Sequence, residues 1–489
     1  MNLDTTTEPA PPFARPGIDC AVGALLLLYL ASYLFVNYVT RFAPVAFHSM
    51  ILVFGVSAVV LLMFRGYIST TWSKLSFDWI LFAALVLLFL VSTTLMNRHV
   101  SEWLEVRAYI LSFFCFFFVR VAGVYLPAFW LHRLLIVFLI ASGVQILCQV
   151  YFGMDYYVAR YLGSDISTIY ATGFATFPNL AGVMILWPLA IQVSKLAAEP
   201  AKLSKLYEWS AVVFGTVGLF FTLSRAAILG LGVVLVALLL ARALSGRSVR
   251  RAALVVMVVV TSLATCYVIP SRLSGYVSTK TLGELPPHIR SFGDARNSED
   301  TRGPGNARSS EGTRGSGNAH NAEGTTACEE FYPISRSYSL NTRLLIFRVS
   351  GQILADHPLW GAGVGRFSDY YQICFERLPQ VVQDRLDPRT RVTTHNAYLE
   401  SVTDVGVLFT VAVLALVFWT TRQVWICGAD HMAFHLLIGL LAVMVWMLMH
   451  NSFKDRLFWI ALALTLAHLP TLRQMTAYSS QQPFPRSCP

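Results

Sequence analysis

Thr394-His395-Asn396-Ala397-Tyr398-Leu399 marks the point where a long polar stretch gives way to an apolar run. From about residue 397 to about residue 419 that run is long enough to cross a bilayer core. His395 and Asn396 therefore stand at the lip of a membrane helix. On a continuous helix Val402 and Gly406 lie on the same face below His395. Gly406 gives that face a place where a second backbone can come close. Asp404 sits about half a turn round and ~13 Å deeper, which argues against it as the carboxylate that orients His395. A histidine suits base chemistry because its unperturbed pKa is about 6.5. Capping the helix and bonding to headgroups or loop carbonyls is the other reading, and position alone leaves both open.

The rest of the chain fits a membrane setting. Its 489 residues are 55% hydrophobic and only 13% charged, with mean hydropathy +0.58, whereas water-soluble domains carry about a quarter charged residues. The expected fold class is an all-α polytopic membrane protein. A net charge of +10 could point to nucleic acid, but the basic residues gather in short loops between apolar spans, as they do at a membrane's cytoplasmic face. No nucleic-acid partner is expected. The polar N-terminus leads into a first apolar run with no A-x-A-like site after it, so that run reads as a retained helix. Eight cysteines form no CxxC pair and no cluster at metal spacing.

Twelve spans are expected, near 18–39, 46–64, 78–96, 106–124, 130–151, 178–194, 207–223, 226–243, 251–270, 397–419, 432–450 and 456–470. Lys and Arg set the orientation. Both termini (1–17 and 471–489) are predicted inside, and the loop 271–394 between spans nine and ten outside. Within it, residues 294–327 carry a degenerate repeat, with Glu299, Glu311 and Glu323 at an interval of twelve and no core-forming side chains. That composition predicts a disordered insertion without chemistry. Residues 331–391 read as an ordered lid at the membrane surface. Asn341 is placed to cap a helix that buries Ile346, Val349 and Ile353. The run Gly361-Ala362-Gly363-Val364-Gly365 reads as a tight turn rather than a nucleotide loop, since no βαβ unit surrounds it. If the loop lies outside, Cys328 and Cys374 could pair.

Ionisable residues at span ends are functional candidates by default. Arg225 joins two apolar runs with almost no loop, next to Ser224 and on the same side as His395. A planar, permanently charged guanidinium suits phosphate, although a snorkelling arginine would look the same. Arg343 faces the same compartment. Lys454, Arg456 and His450 are weaker candidates for an anionic headgroup. There is no Asp-x-Asp at a span end, no G-x-S-x-G and no P-loop.

Taken in order, these pieces resemble the O-antigen ligase family, whose relatives include Wzy-type polymerases and bacterial O-oligosaccharyltransferases. His395-Asn396, nine residues and then Gly406 resembles the family's His-Asn…Gly-x-x-Gly pattern. Thr410 is kept, while Phe409 replaces the second glycine. Thr222-Leu223-Ser224-Arg225 resembles its Leu-Thr-x-Ser-Arg turn, Thr176-Phe177-Pro178-Asn179 an earlier helix start, and Pro358-Leu359-Trp360-Gly361-Ala362-Gly363 its Pro-x-x-Gly-x-Gly turn with Arg343 upstream. The resemblance implies a GT-C-like, metal-independent and cofactor-free inverting glycosyl transfer at the periplasmic face of the inner membrane. The donor would be a glycan on undecaprenyl pyrophosphate, and the acceptor a sugar hydroxyl on lipid A-core or on a lipid-linked repeat. His395 would be the general base. Arg225 and Arg343 would hold the pyrophosphate, with Asn396, Gly406 and Ser224 in support. Ligase is favoured, ahead of polymerase and protein O-oligosaccharyltransferase. A polysaccharide or lipid transporter is the alternative from another class. It is disfavoured because the distinctive charges lie at the rim rather than the midplane, and no repeat relates the two halves.

Overall fold

The protein was analysed as a computed structural model. It describes residues 16–35, 47–64, 77–96, 103–152, 157–160, 167–170, 174–175, 178–198, 205–244, 249–279, 338–383, 386, 394, 396–428, 431–450 and 453–469. His395, the segment 294–327, Cys328 and most of both expected tails lie outside these residues.

Among the described residues, nine α-helices precede the long loop: α1 (Pro16–Leu34), α2 (Phe47–Phe64), α3 (Phe77–Met96), α4 (Trp103–Ala122), α5 (Ala128–Phe152), α6 (Pro178–Ala198), α7 (Leu206–Phe221), α8 (Arg225–Leu244) and α9 (Val249–Thr279). Proline at the first position of α6 costs no hydrogen bond, because that N–H has no partner within the helix. The loop region contributes α10 (Tyr338–Asp356) and α11 (Phe367–Arg377). Next come the short α12 (Ala397–Asp404), then α13 (Val407–Cys427), α14 (Met432–Met447) and α15 (Arg456–Ala467). Among the described residues, eight helices are long and apolar enough to cross a membrane, and four apolar ones are shorter. The chain is a multi-pass helical membrane protein.

Three findings correct the sequence reading. An antiparallel strand pair, β1 (Tyr157–Arg160) with β2 (Ser167–Tyr170), interrupts the otherwise helical chain. Its aromatic and β-branched residues suit a strand, but four-residue runs leave little periodicity to read. Asn341 does not cap α10. The helix starts at Tyr338, three residues earlier, and Asn341 is buried within it. The face carrying Ile346, Val349 and Ile353 is buried as expected, in a small core of α10 and α11 that includes Phe367, Tyr371 and Cys374. Cys374 is disulfide-bonded to a partner outside the described residues. The third correction falls at the apolar run after Asn396, which is two helices, not one.

The membrane core is layered around α6, α14 and α15, which are apolar on nearly every side and buried on nearly every side. α14 packs between α6, α8 and α15, while α15 lies against α4. Gly439 on α14 admits α6: a Cβ there would meet Ile191 at 2.8 Å and Trp187 at 2.9 Å. On the other side, Phe82, Phe89, Tyr109, Phe113, Phe116, Phe409 and Trp459 form an aromatic layer joining α3, α4, α13 and α15. Phe409 touches Phe89, Tyr109 and Phe113 there, so the side chain that departs from the glycine pattern fills a core position. The buried Asp78 of α3 pairs with Arg120 of α4 at 3.1 Å.

Gly439→Leu should overpack the α6–α14 contact by about 1–3 kcal/mol and lower the melting temperature of the detergent-solubilised protein. Gly232→Leu, where an added Cβ meets nothing within 4 Å, should leave it nearly unchanged.

Candidate active site

The break between α12 and α13 organises the site. At Gly406 the backbone takes φ +103°, a conformation that L side chains rarely adopt. The break would leave carbonyls unpaired at the end of α12 and amides unpaired at the start of α13. The turn that follows α10 supplies the partners. Ala362 N–H donates to Thr403 O at 2.7 Å and Gly363 N–H to Asp404 O at 3.1 Å. In return, Val407 N–H donates to Pro358 O at 3.1 Å. Ser92 of α3 fixes the same turn by donating to Trp360 O at 2.7 Å. Gly361, Gly363 and Gly365 all have positive φ, so the glycine run is the tight turn expected.

Gly406 does provide the close backbone approach expected of it, and the backbone that approaches is that of this turn. A Cβ there would collide with the Leu359 carbonyl and lie 2.7 Å from Trp360 Cα. Thr410 closes the break from the other side. Its hydroxyl donates to Gly406 O at 3.1 Å and shares a 2.8 Å hydrogen bond with Ser401. The glycine and hydroxyl positions of the motif thus share one task, that of satisfying a chain break.

Asn396 caps α12, its Oδ1 accepting from Leu399 N–H at 3.0 Å. Its Nδ2 donates to Leu448 O at 3.0 Å, and Tyr398 donates to Met444 O at 3.1 Å. These two contacts fasten the start of α12 to the end of α14. Thr394 is buried and donates to Asn396 O at 2.9 Å. His395, between these two, lies outside the described residues.

Arg225 opens α8 after a link of only Thr222, Leu223 and Ser224. Leu223 is the one non-glycine described residue with positive φ, at 53°. The Thr222 hydroxyl accepts from Ser224 N–H at 3.3 Å, which tightens the link. Ser224 is buried against Gly182 of α6, and its hydroxyl has no partner among the described residues. The Arg225 side chain points the other way and is exposed. Gly230, one turn deeper, rests on Leu186 and on the Ala442 carbonyl. This ties α8 to α6 and to α14, the helix that also holds Asn396. Arg343 is likewise exposed, on α10, whose other face packs on α11 and α12. Among the described residues neither guanidinium has an ion-pair partner.

The headgroup reading of the last loop is overturned. Lys454 is drawn inward between Glu400 and Asp404 at 2.9 and 3.2 Å. Arg456 donates to Ser49 at 3.1 Å, and the His450 ring stacks on Trp446 at 4.6 Å. Glu400 and Glu105 were not singled out from the sequence. The available signal was the four-residue spacing of Asn396, Glu400 and Asp404, which puts all three on one helix face. Among the described residues no group of three His, Cys, Asp or Glu side chains could hold a metal ion.

The site residues are thus an exposed arginine on a tight interhelical link, a second exposed arginine on α10, and a buried acid–lysine cluster beside a broken helix. Residues 210–414, less than half of the chain, match the family model described as O-Antigen ligase. That segment, which holds Arg225, Arg343, His395, Asn396 and Gly406, is therefore similar to the O-antigen ligase family, as its motifs lead one to expect. No curated protein matches the chain.

Gly406→Ala should lower both activity and membrane abundance, because the methyl group meets fixed backbone. Gly428→Ala has a similar φ of +88° but nothing within 4 Å, so it should cost only the ~1–2 kcal/mol of backbone strain. Melting curves of the two purified variants separate the steric cost from the conformational one.

Proposed function

We propose that this protein is an inner-membrane glycosyltransferase of the O-antigen ligase type, with its site facing the periplasm. It moves a glycan from undecaprenyl pyrophosphate to a sugar hydroxyl of lipid A-core. The observation that carries the reading is the 210–414 family match, within which Arg225 and Arg343 present exposed cations with no carboxylate partner among the described residues.

In this reading the acceptor oxygen attacks the anomeric carbon from the face opposite the pyrophosphate, which inverts the centre. The bond from carbon to the pyrophosphate oxygen breaks, and undecaprenyl pyrophosphate leaves with the electron pair. His395 takes the hydroxyl proton, which requires hydrogen-bond reach in the substrate complex. Arg225 and Arg343 hold the pyrophosphate and offset its growing charge. Asn396 ties the start of α12 to α14, and Ser224 anchors the link that presents Arg225. The lid, 331–391, covers the site through the turn seated at Gly406.

A Wzy-type polymerase, whose acceptor is a second lipid-linked repeat, is the second reading. Phe409, which fills an aromatic layer at the glycine position of the ligase pattern, favours it.

His395→Ala and Arg225→Lys, tested in a strain deleted for this protein with membrane levels checked, should each abolish the glycan ladder on lipopolysaccharide. Long polymer accumulating on its lipid carrier would mark a ligase, and core bearing a single repeat a polymerase. An unchanged ladder at normal abundance would sink the catalytic roles and return transport to consideration.

A further inference from the structure

Three carboxylates from two parts of the chain converge on one ammonium. Lys454, in the turn between α14 and α15, lies 2.9 Å from Glu400 Oε1, 3.2 Å from Asp404 Oδ2 and 3.2 Å from Glu105 Oε2. Glu400 and Asp404 are buried on α12, while Glu105 at the start of α4 is half exposed. The lysine is itself held in place, since Ser112 of α4 donates to its carbonyl at 3.0 Å. The Tyr109 ring centre lies 5.8 Å from the ammonium. Asp404 also joins this cluster to the turn seated at the helix break, its backbone carbonyl accepting from Gly363 N–H at 3.1 Å.

An ammonium has three N–H donors, and here three carboxylates surround it. Lys454 donates one hydrogen bond, to Glu400 Oε1 at 2.9 Å, and its contacts with Asp404 and Glu105 are ion pairs at 3.2 Å, so its charge is directed at this cluster and its role is exerted through these groups. Fully ionised, the cluster would carry two surplus negative charges in a buried place, which is costly. Burial pushes the Asp404 carboxyl up to about 7, even though Lys454 and the Gly365 amide act against the rise. Burial alone would depress Lys454, but Asp404, then Glu400, Tyr109 and Glu105 outweigh it and hold the amine well above its ordinary range. The lysine is charged at every physiological pH, and Asp404 is the member that takes up a proton.

We propose that Lys454 is the positioning residue of this site. Its ammonium holds the Glu400 and Asp404 side chains, while the Thr403 and Asp404 carbonyls accept from Ala362 and Gly363 of the turn. Together they set where α12, and with it His395–Asn396, stands against the 358–365 turn. What is positioned rests on the transferase reading; the clamp itself can be tested without it.

The test compares wild type, Lys454→Met and Lys454→Met/Asp404→Asn as full chains purified in detergent. Melting temperature and transfer rate are followed from about pH 5.5 to about pH 8. Without the ammonium, protonation is the remaining way to neutralise the facing carboxylates. An acid whose folded pKa is raised stabilises below its unfolded pKa and loses that stability as pH rises through the folded value. Lys454→Met should therefore lose melting temperature with rising pH more steeply than wild type, and adding Asp404→Asn should flatten the slope.

Transfer by Lys454→Met should fall about tenfold or more near pH 8, as expected for a misplaced reacting group. It should recover several-fold toward acid, against the wild-type trend set by a histidine base, at temperatures well below melting. The double variant should be faster than Lys454→Met near pH 8. Parallel melting slopes, or Lys454→Met with wild-type transfer rates, would overturn the proposal. A wild type that transfers nothing would count against the transferase reading, and the melting slopes would still decide the clamp.

Discussion

The exchange of backbone hydrogen bonds at Gly406 is the contact on which the rest of the site depends. A helix interrupted close to a bilayer exposes amides and carbonyls that water cannot readily reach, and each unpaired group costs several kcal/mol in hydrocarbon. This chain meets the cost by inserting a loop turn into the gap, with two bonds to the end of α12 and one from the start of α13. The turn fits only because position 406 has no side chain and glycine tolerates its φ. Thr410 and Ser401 then bond the remaining polar groups from below. The lid's end is built into the membrane domain at this point, not laid over it, so α10 and α11 cannot shift far without breaking those bonds.

Charge is distributed by the same logic of solvation. Arg225 and Arg343 are exposed and without ion-pair partners among the described residues, which leaves their donors available to an anion arriving from outside. Lys454 carries the same sign of charge but is drawn inward, where carboxylates consume it. Distance from water separates a cation that can bind from one that can only brace. Residue type alone does not.

Much of this was legible in the chain. The apolar runs, the glycine turn, the buried face of α10 and the short link before Arg225 all follow from hydropathy, helical spacing and turn chemistry. The likeness of residues 210–414 to the O-antigen ligase family followed from ordered motifs. Features that a non-local partner decides did not come through. The split at Gly406 is invisible to hydropathy, since the run stays apolar across it and the inserted turn comes from more than forty positions upstream. The inward Lys454 reads as a loop charge until α4 and α12 are brought beside it. Asn341 fits a cap pattern, but α10 begins three residues before it. His395, the residue from which the sequence reading begins, is reached here only through the neighbours that fix its two flanks.

The acid–lysine cluster also bears on how such a protein can change over evolutionary time. The recognisable segment ends at residue 414 and begins at 210, yet Glu105 and Lys454, which complete the cluster, lie on either side of it. A recombination event that exchanged only the recognisable segment between two relatives would separate the acids of α12 from the base that neutralises them. The motif-bearing stretch is therefore not a transplantable cassette. It depends on a first-half helix and the final hairpin for the charges that complete its cluster.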